Sequence, residues 1–391
     1  MRALIDYRAA LRDRTGVGEY THQLVRALLA AFPPETDGRP LDLTLFSSSW
    51  KDRLLPAEEL AGAAVVDRRV PVRVLNYAWH RLEWPPAEDI AGGTFDVTHS
   101  MHPLLLPARN AARVVTIHDL DFLAHPERTR AEIRRDYAAL ARNHARRADA
   151  VVVVSHFTAR ETERHLGVDP ERLVVCSPGA PDWRPRARPP TTGYVLFFGT
   201  LEPRKNVGGL LDAFEWLLDA VAGRPAREAG GTPVPELVLA GRPTDEARPW
   251  LDRIGRPPLA GRVRHIGYVD PADRRALYEG ARLLVQPSFE EGFGLPVLEA
   301  MTVGIPVVAA NRGALPEVIG DAGPLVDPED SVEMGAAMLR MIDDEAFAGA
   351  CAAKGVVRAR EFRWERTARQ VYGAYEYAIR RSAERRGGAG G

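Results

Sequence analysis

The chain has 391 residues, enough for two or three domains at roughly 150 residues each and for sizeable hydrophobic cores. Lys and Arg total 52 against 53 for Asp and Glu, so the net charge of -1 excludes a global attraction to nucleic acid or acidic lipid, and any basic site must be local. Hydrophobic residues at 45% and charged residues at 27% fit a soluble globular protein and exclude a disordered chain or an integral membrane protein. Two cysteines, Cys176 and Cys351, cannot build a disulfide framework or a zinc ribbon and point to a reducing compartment. The start, MRALID, lacks the apolar core of a signal peptide, and no run approaches the ~18 apolar residues of a spanning helix. The expected location is the cytoplasm. Basic residues are almost all Arg, so each of the three lysines, Lys51, Lys205 and Lys354, stands out.

In chain order, Thr15–Tyr20 (TGVGEY) is a glycine turn opening a helical pattern through Tyr20, Leu24, Ala27 and Leu28, the kind of joint that binds anions. It fails as a dinucleotide fingerprint because Thr21 stands where a third glycine belongs. Apolar β-branched runs follow at Leu41–Phe46, Val114–Ile117, Val151–Val154, Leu173–Cys176, Tyr194–Phe198, Leu237–Ala240, Val263–Ile266, Leu283–Val285 and Val307–Ala309. Helical patterns of 10 to 20 residues separate many of them, the signature of parallel sheets with strands buried on both faces. Trp79–Pro85 mixes aromatic and polar residues, which suits a sugar acceptor or, equally, an exposed packing loop; His99–His102 is followed by Pro103 and lacks a third nearby metal ligand, so an acceptor-side loop is expected there rather than a metal site. His118 ends a buried strand, either as a packed side chain or at a ligand edge. From Glu127 to Arg147, helical spacing gathers Arg128, Arg135, Arg142 and Arg146 within about 40° opposite an apolar face, a stripe that fits solvent or an anionic lipid surface.

Ser177–Gly193 is Pro-rich and aperiodic, and reads as the join between two domains. The expected division is residues 1–182 and 190–366, joined by 183–189, with a C-terminal helix at about 367–386 returning to the first domain and a disordered tail at 387–391. The fold class is α/β, two doubly wound Rossmann-like domains facing each other across a cleft at the carboxyl ends of their strands.

The densest chemistry lies in Pro287–Ala310, PSFEEGFGLPVLEAMTVGIPVVAA. Glu291 and Glu299 flank Gly292, Gly294 and Pro296; the glycines admit a ligand to the backbone and Pro296 suits the first turn of a helix whose amino end attracts an anion. On spacing alone, a strand–loop–helix joint with solvated glutamates accounts for it equally well. This stretch resembles the E-x7-E region of retaining GT-B glycosyltransferases of family 4. The resemblance extends through YVLFFGTLEPRKN (194–206), ELVLAGRP (236–243) and RVRHIGYVDPADRRALYEGARLLVQPS (262–288), and covers essentially the whole chain. IDYRA, TGVGEYTH and the HDL segment most resemble the mannosyltransferase-like branch.

The resemblance implies a retaining hexosyl transfer from a nucleotide sugar to a glycan, lipid-linked or small-molecule acceptor, by front-face displacement and without a metal or other cofactor. GDP-mannose is the first expected donor, with UDP-glucose and others open. His118, Arg204, Lys205 and Glu291 are the expected catalytic residues: Glu291 and His118 at the donor hexose, Arg204 and Lys205 at the pyrophosphate. Donor binding is expected of Gly16, Gly18, Gly199, Gly292, Phe293, Gly294 and Leu295 as well, with Glu299 on the ribose hydroxyls. Asp119 and Asp121 spell a D-x-D, discounted as a metal site because Arg204 and Lys205 supply the positive charge. No nucleic acid partner is expected, and peripheral membrane contact would run through the 127–147 helix. A GT-B-shaped phosphorylase, a nucleotide-sugar epimerase or a non-catalytic sugar-nucleotide-binding protein are the alternatives.

Overall fold

The computed structural model describes residues 1–11, 14, 16–33, 40–54, 57–124, 136–190, 192–222 and 234–388. The chain divides into two compact units, Met1–Gly179 with Arg363–Gly391, and Ala180–Phe362. Each is built on a wholly parallel sheet of the kind predicted.

The first sheet has seven strands in the order β3-β2-β1-β4-β5-β6-β7. They are β1 Arg2–Asp6, β2 Asp42–Ser48, β3 Ala64–Arg68, β4 Val97–Ser100, β5 Ala112–Ile117, β6 Ala150–Val153 and β7 Leu173–Val175. The order reverses between β1 and β4, which is where open parallel sheets offer their carboxyl ends to ligands. β6 (AVVV) is buried along its whole length, because helices cover both faces. β1 and β4 escape the sequence pattern: Ala3-Leu4-Ile5 is a short apolar run, and Val97-Thr98-His99-Ser100 reads as polar although all four residues are buried. The helix Trp364–Gly388 belongs to this unit. Tyr375 on it is fully buried and its hydroxyl bonds His99 Nδ1 at 2.8 Å, while Tyr372 stacks on Phe32 at 4.1 Å. Of the expected tail, Gly387 and Gly388 continue this helix and residues 389–391 lie outside the described residues.

The second sheet has six strands, β8 Tyr194–Phe198, β9 Leu237–Ala240, β10 Val263–Gly267, β11 Ala281–Gln286, β12 Val307–Ala310 and β13 Leu325–Val326, in the order β10-β9-β8-β11-β12-β13. Its reversal lies between β8 and β11. The strand interiors and the apolar stripe of the helix Val207–Ala222 (Val207, Leu210, Leu211, Phe214, Leu217) form its core with Met334, Met338 and Ile342. Ala180–Pro190, part of the expected join, packs with this unit: Arg186 N–H donates to Val303 O at 2.9 Å and its guanidinium to the Glu279 carbonyl at 3.2 Å. After Asp327-Pro328 the chain turns helical, through Ser331–Asp343 and Glu345–Ala359.

Candidate active site

At the reversal point of the second sheet, the loop after β8 meets the loop after β11. Pro203–Lys205 is a single 3-10 turn, and Asn206 then takes φ 54°, a left-handed conformation that asparagine tolerates and that starts the helix Val207–Ala222. The Asn206 side-chain amide donates to the carbonyls of Pro287 (3.2 Å) and Pro328 (2.7 Å), tying three loops together. Phe289 N–H donates to Arg204 O at 2.9 Å. Two loops far apart in sequence are thereby fixed side by side.

They bring together Arg204, Lys205 and Glu291. Lys205 Nζ lies 2.5 Å from Glu291 Oε1, and Arg204 Nη1 3.6 Å from Glu291 Oε2. Oε1 also accepts from Gln286 Nε2 and Ser288 Oγ, each at 2.8 Å. Lys205 is 9% and Glu291 5% exposed, so neither is a solvated loop residue. Burial pushes the Glu291 carboxyl up, but the charges of Lys205 and Arg204 outweigh it and hold it below the usual carboxylate range. Burial pulls the Lys205 ammonium down, Arg204 adds to that, and Glu291 restores only part. A buried acid that stays ionised beside two cations is an electrostatic site ready for further charge. Gln286 and Ser288, part of the motif LLVQPS, and Asn206 were not singled out from sequence; a polar residue ending a buried strand was the available signal.

Glu291 is followed by Gly292, which is buried, and Phe293, whose ring meets Phe362 edge to face at 5.6 Å. Gly294 caps the helix Leu295–Val303 with φ 105°, a backbone conformation in which any side chain is strained, and a Cβ there would also have to push aside the tip of Leu315, 2.7 Å away. Pro296 lies in the first turn, as expected. Glu299 sits a turn deeper, 6% exposed, and does not join the Lys205 cluster: its Oε1 accepts from Arg274 Nη1 at 3.1 Å. Gly199, just past β8, donates its N–H to Ala240 O at 2.9 Å and faces the Lys205 stem.

In the first unit, Gly16 caps the helix Val17–Ala31 with φ 50°, and Gly18 is buried in its first turn; Thr15 lies outside the described residues. Tyr20, two residues on, packs edge to face against His118 at 4.9 Å, so the glycine turn and the β5 histidine are neighbours. Burial lowers the His118 pKa to about 4 against the pull of Asp119, which leaves the ring neutral near pH 7. Its Nε2 is buried and has no hydrogen-bond partner among the described residues.

His99 corrects the expectation of an acceptor-side loop at 99–102. It is a core residue on β4, bonded through Nε2 to Thr116 Oγ1 at 2.7 Å as well as to Tyr375. Trp79 is likewise fully buried, against Phe46 and beneath the Arg8 guanidinium at 5.2 Å, so neither residue offers an acceptor surface. The first sheet's reversal point instead carries Asp6, chelated by Arg8 (Nη2 to Oδ2, 2.6 Å) with His102 Nε2 at 3.7 Å; the segment IDYRA does not by itself disclose this pair. Of the basic stripe, Arg128 and Arg135 lie outside the described residues, while Arg142 and Arg146 donate to the carbonyls of His165 (3.1 Å) and Leu166 (2.8 Å). Those two arginines therefore complete the end of the helix His156–Leu166, where unpaired carbonyls and the helix dipole favour cations.

Two wholly parallel, doubly wound sheets of this order form the GT-B architecture. Solved structures agree on that fold: sucrose-phosphate synthase from Thermosynechococcus elongatus matches with a TM-score of 0.72 and 21% identity over 96% of this chain and 98% of that one. Anabaena HepE, solved with UDP and glucose, matches at 0.65 and 17% over 95% and 97%. The family model for glycosyltransferase family 4 matches residues 14–184, and that for glycosyl transferases group 1 matches residues 192–344. An O-antigen chain mannosyltransferase B of Escherichia coli is 31% identical over 387 residues, 93% of this chain and 96% of that protein. The chain belongs to glycosyltransferase family 4, and it is a glycosyltransferase homologous to mannosyltransferases.

Proposed function

We propose that the enzyme transfers mannose from GDP-mannose, with retention at the anomeric carbon, to a glycan or lipid-linked acceptor. The observation that carries this reading is the buried Arg204–Lys205–Glu291 cluster at the reversal point of the second sheet. When the glycosidic bond breaks, the nucleoside diphosphate gains negative charge, and preorganised cations already fixed in place stabilise that charge without reorganising. The helix Leu295–Val303 starts in the same loop, and the positive end of its dipole adds to the attraction for an anion. Arg204 and Lys205 are held at the site by Glu202 (2.8 Å from Arg204 Nη2) and Glu291, and as cations already in place they make a divalent metal redundant in our reading, with no catalytic part for Asp119 and Asp121. Glu291 takes hydroxyls of the donor sugar and Glu299 those of the ribose. His118, neutral and with an unengaged nitrogen, is the first unit's candidate for the donor sugar, beside the turn of Gly16 and Gly18.

Mannose is favoured over glucose by the kinship with the E. coli mannosyltransferase, and the HepE structure with UDP and glucose makes UDP-glucose the donor to test against it. A lipid-linked acceptor would bring the enzyme to the cytoplasmic membrane surface; among the described residues no helix is long and apolar enough to cross a membrane. The test is thermal stabilisation by GDP, UDP, GDP-mannose and UDP-glucose in the presence of a chelator. A nucleotide at 100 times its Kd stabilises the native state by about 2.7 kcal/mol. Stabilisation by GDP and GDP-mannose is expected; a response confined to the uridine nucleotides would refute the donor assignment.

A further inference from the structure

Helix Pro271–Glu279 carries two adjacent arginines with opposite fates. Arg275 points outward and pairs with Glu279 one turn on at 2.8 Å, an ordinary surface pair. Arg274 is only 5% exposed. Burying a guanidinium costs several kcal/mol unless it is paired, so its partners deserve weight. They are Glu299 Oε1 at 3.1 Å and the Phe198 ring, whose centroid lies 5.7 Å from the guanidinium carbon. Phe198 is the last residue of β8, immediately before Gly199. The pair therefore stands at the carboxyl end of the strand that opens the site.

A second group on the same helix reaches the same carboxylate. Tyr278, one turn beyond Arg274 and fully buried, stands beside the same carboxylate, whose negative charge joins burial in pushing the phenol well above its ordinary range. Arg274 thus grips Glu299 from one side, with Tyr278 as a neighbour on the same helix. A carboxylate has about four acceptor positions, so this grip does not exhaust them. Without the grip, a glutamate side chain would be ordered only on binding, at a cost of about 0.5–1.5 kcal/mol.

We propose that Arg274 is the positioning residue for Glu299: by fixing one carboxylate oxygen it sets how the carboxylate meets the nucleotide, and so governs the preference for ribose over a sugar lacking the 2'- and 3'-hydroxyls. This rests on the reading that Glu299 receives the ribose. Sequence inspection alone gives no hint of it, since Arg274 in PADRRALYE looks like any other solvated arginine.

The experiment measures Kd by calorimetry for GDP and UDP and for their 2',3'-dideoxy forms, with wild type, Arg274→Met, Arg274→Lys and Glu299→Gln. Wild type is expected to prefer the ribonucleotide, and Glu299→Gln to lose that preference. Arg274→Met should weaken ribonucleotide binding about tenfold, worth about 1.4 kcal/mol, while leaving dideoxynucleotide affinity unchanged. Arg274→Lys should recover part of the loss, because it keeps the charge and not the planar fork. In turnover, KM for the donor should rise with kcat nearly constant. A wild-type ribose preference retained in Arg274→Met, or an equal loss for both nucleotide forms, would overturn the positioning role while leaving the Glu299 reading in place. If Arg274→Met does not fold, Arg274→Lys is read by the same ratio, and an unchanged preference there overturns the role. A wild type without any ribose preference, or Glu299→Gln retaining it, overturns the Glu299 reading and with it the role of Arg274.

Discussion

Replacing Lys205 by methionine, Glu291 by glutamine, and then both together separates what the central pair does for stability from what it does for catalysis. Lys205 Nζ and Glu291 Oε1 are 2.5 Å apart, and both side chains are buried. At an effective dielectric of about 20, charges at that distance attract by roughly 6–7 kcal/mol, of which desolvation takes back a large share. Removing one partner of a buried pair typically costs about 3–5 kcal/mol, because the other charge is left in a medium that does not solvate it. Arg204, 3.6 Å from the second oxygen, softens the loss in Lys205→Met and places it near about 3 kcal/mol. The double variant leaves no orphaned charge on this axis, and Gln286 and Ser288 can still donate to the glutamine oxygen, so it should unfold later than either single variant. The assay is urea unfolding followed by tryptophan fluorescence, together with initial rates. Turnover should fall by about 10²–10³ in all three variants, because recovered stability restores neither the phosphate contact of Lys205 nor the sugar contact of Glu291. Single-variant losses below 1 kcal/mol that simply add in the double variant would refute a buried ion pair.

Further outcomes follow from the same geometry. His99 and His118 are held neutral by burial, with pKa values of about 3 and about 4 against an ordinary 6.5. Below pH 6.5 the unfolded chain takes up protons that the folded one refuses, so their contribution is fully present above that pH and is lost towards pH 4, at up to about 1.4 kcal/mol per unit for each histidine. Urea midpoints that stay flat between pH 6.5 and 4 would contradict the buried neutral state. Gly313 takes φ 62°, and a Cβ there would lie 2.7 Å from both the backbone N and O of Glu291, so Gly313→Ala should displace the acid and lower turnover at least tenfold with a reduced Tm; wild-type rates would show that the loop absorbs the change. Glu299→Gln should raise the donor KM more than it changes kcat, which steady-state rates over a donor series will show.

Much of this was legible in the chain because parallel strands buried on both faces spell themselves as apolar runs, and Tyr194–Phe198 and Leu237–Ala240 appear with the bounds the pattern gave. β4 was illegible for the opposite reason: Thr98, His99 and Ser100 are polar, and only their partners, Thr116 and the distant Tyr375 among them, make burial tolerable. The likeness to the family located Arg204, Lys205, Glu291 and Glu299. It did not reveal that three of the four form one buried cluster while Glu299 pairs elsewhere, since that depends on which helix delivers a counter-charge. Arg274 and Asp6–Arg8 were hidden because a charged residue in an amphipathic segment reads as solvated until its neighbours are known.

The most direct test of the proposed reaction is the anomeric configuration of its product. The enzyme, stripped with EDTA, is incubated with GDP-mannose and a synthetic mannoside carrying an alkyl chain, and the new linkage is read by the one-bond carbon–hydrogen coupling at its anomeric centre. A new α-mannosidic bond formed without metal, matching the α configuration of the donor, is the predicted result. A β linkage, or transfer that appears only when magnesium or manganese is restored, would contradict it.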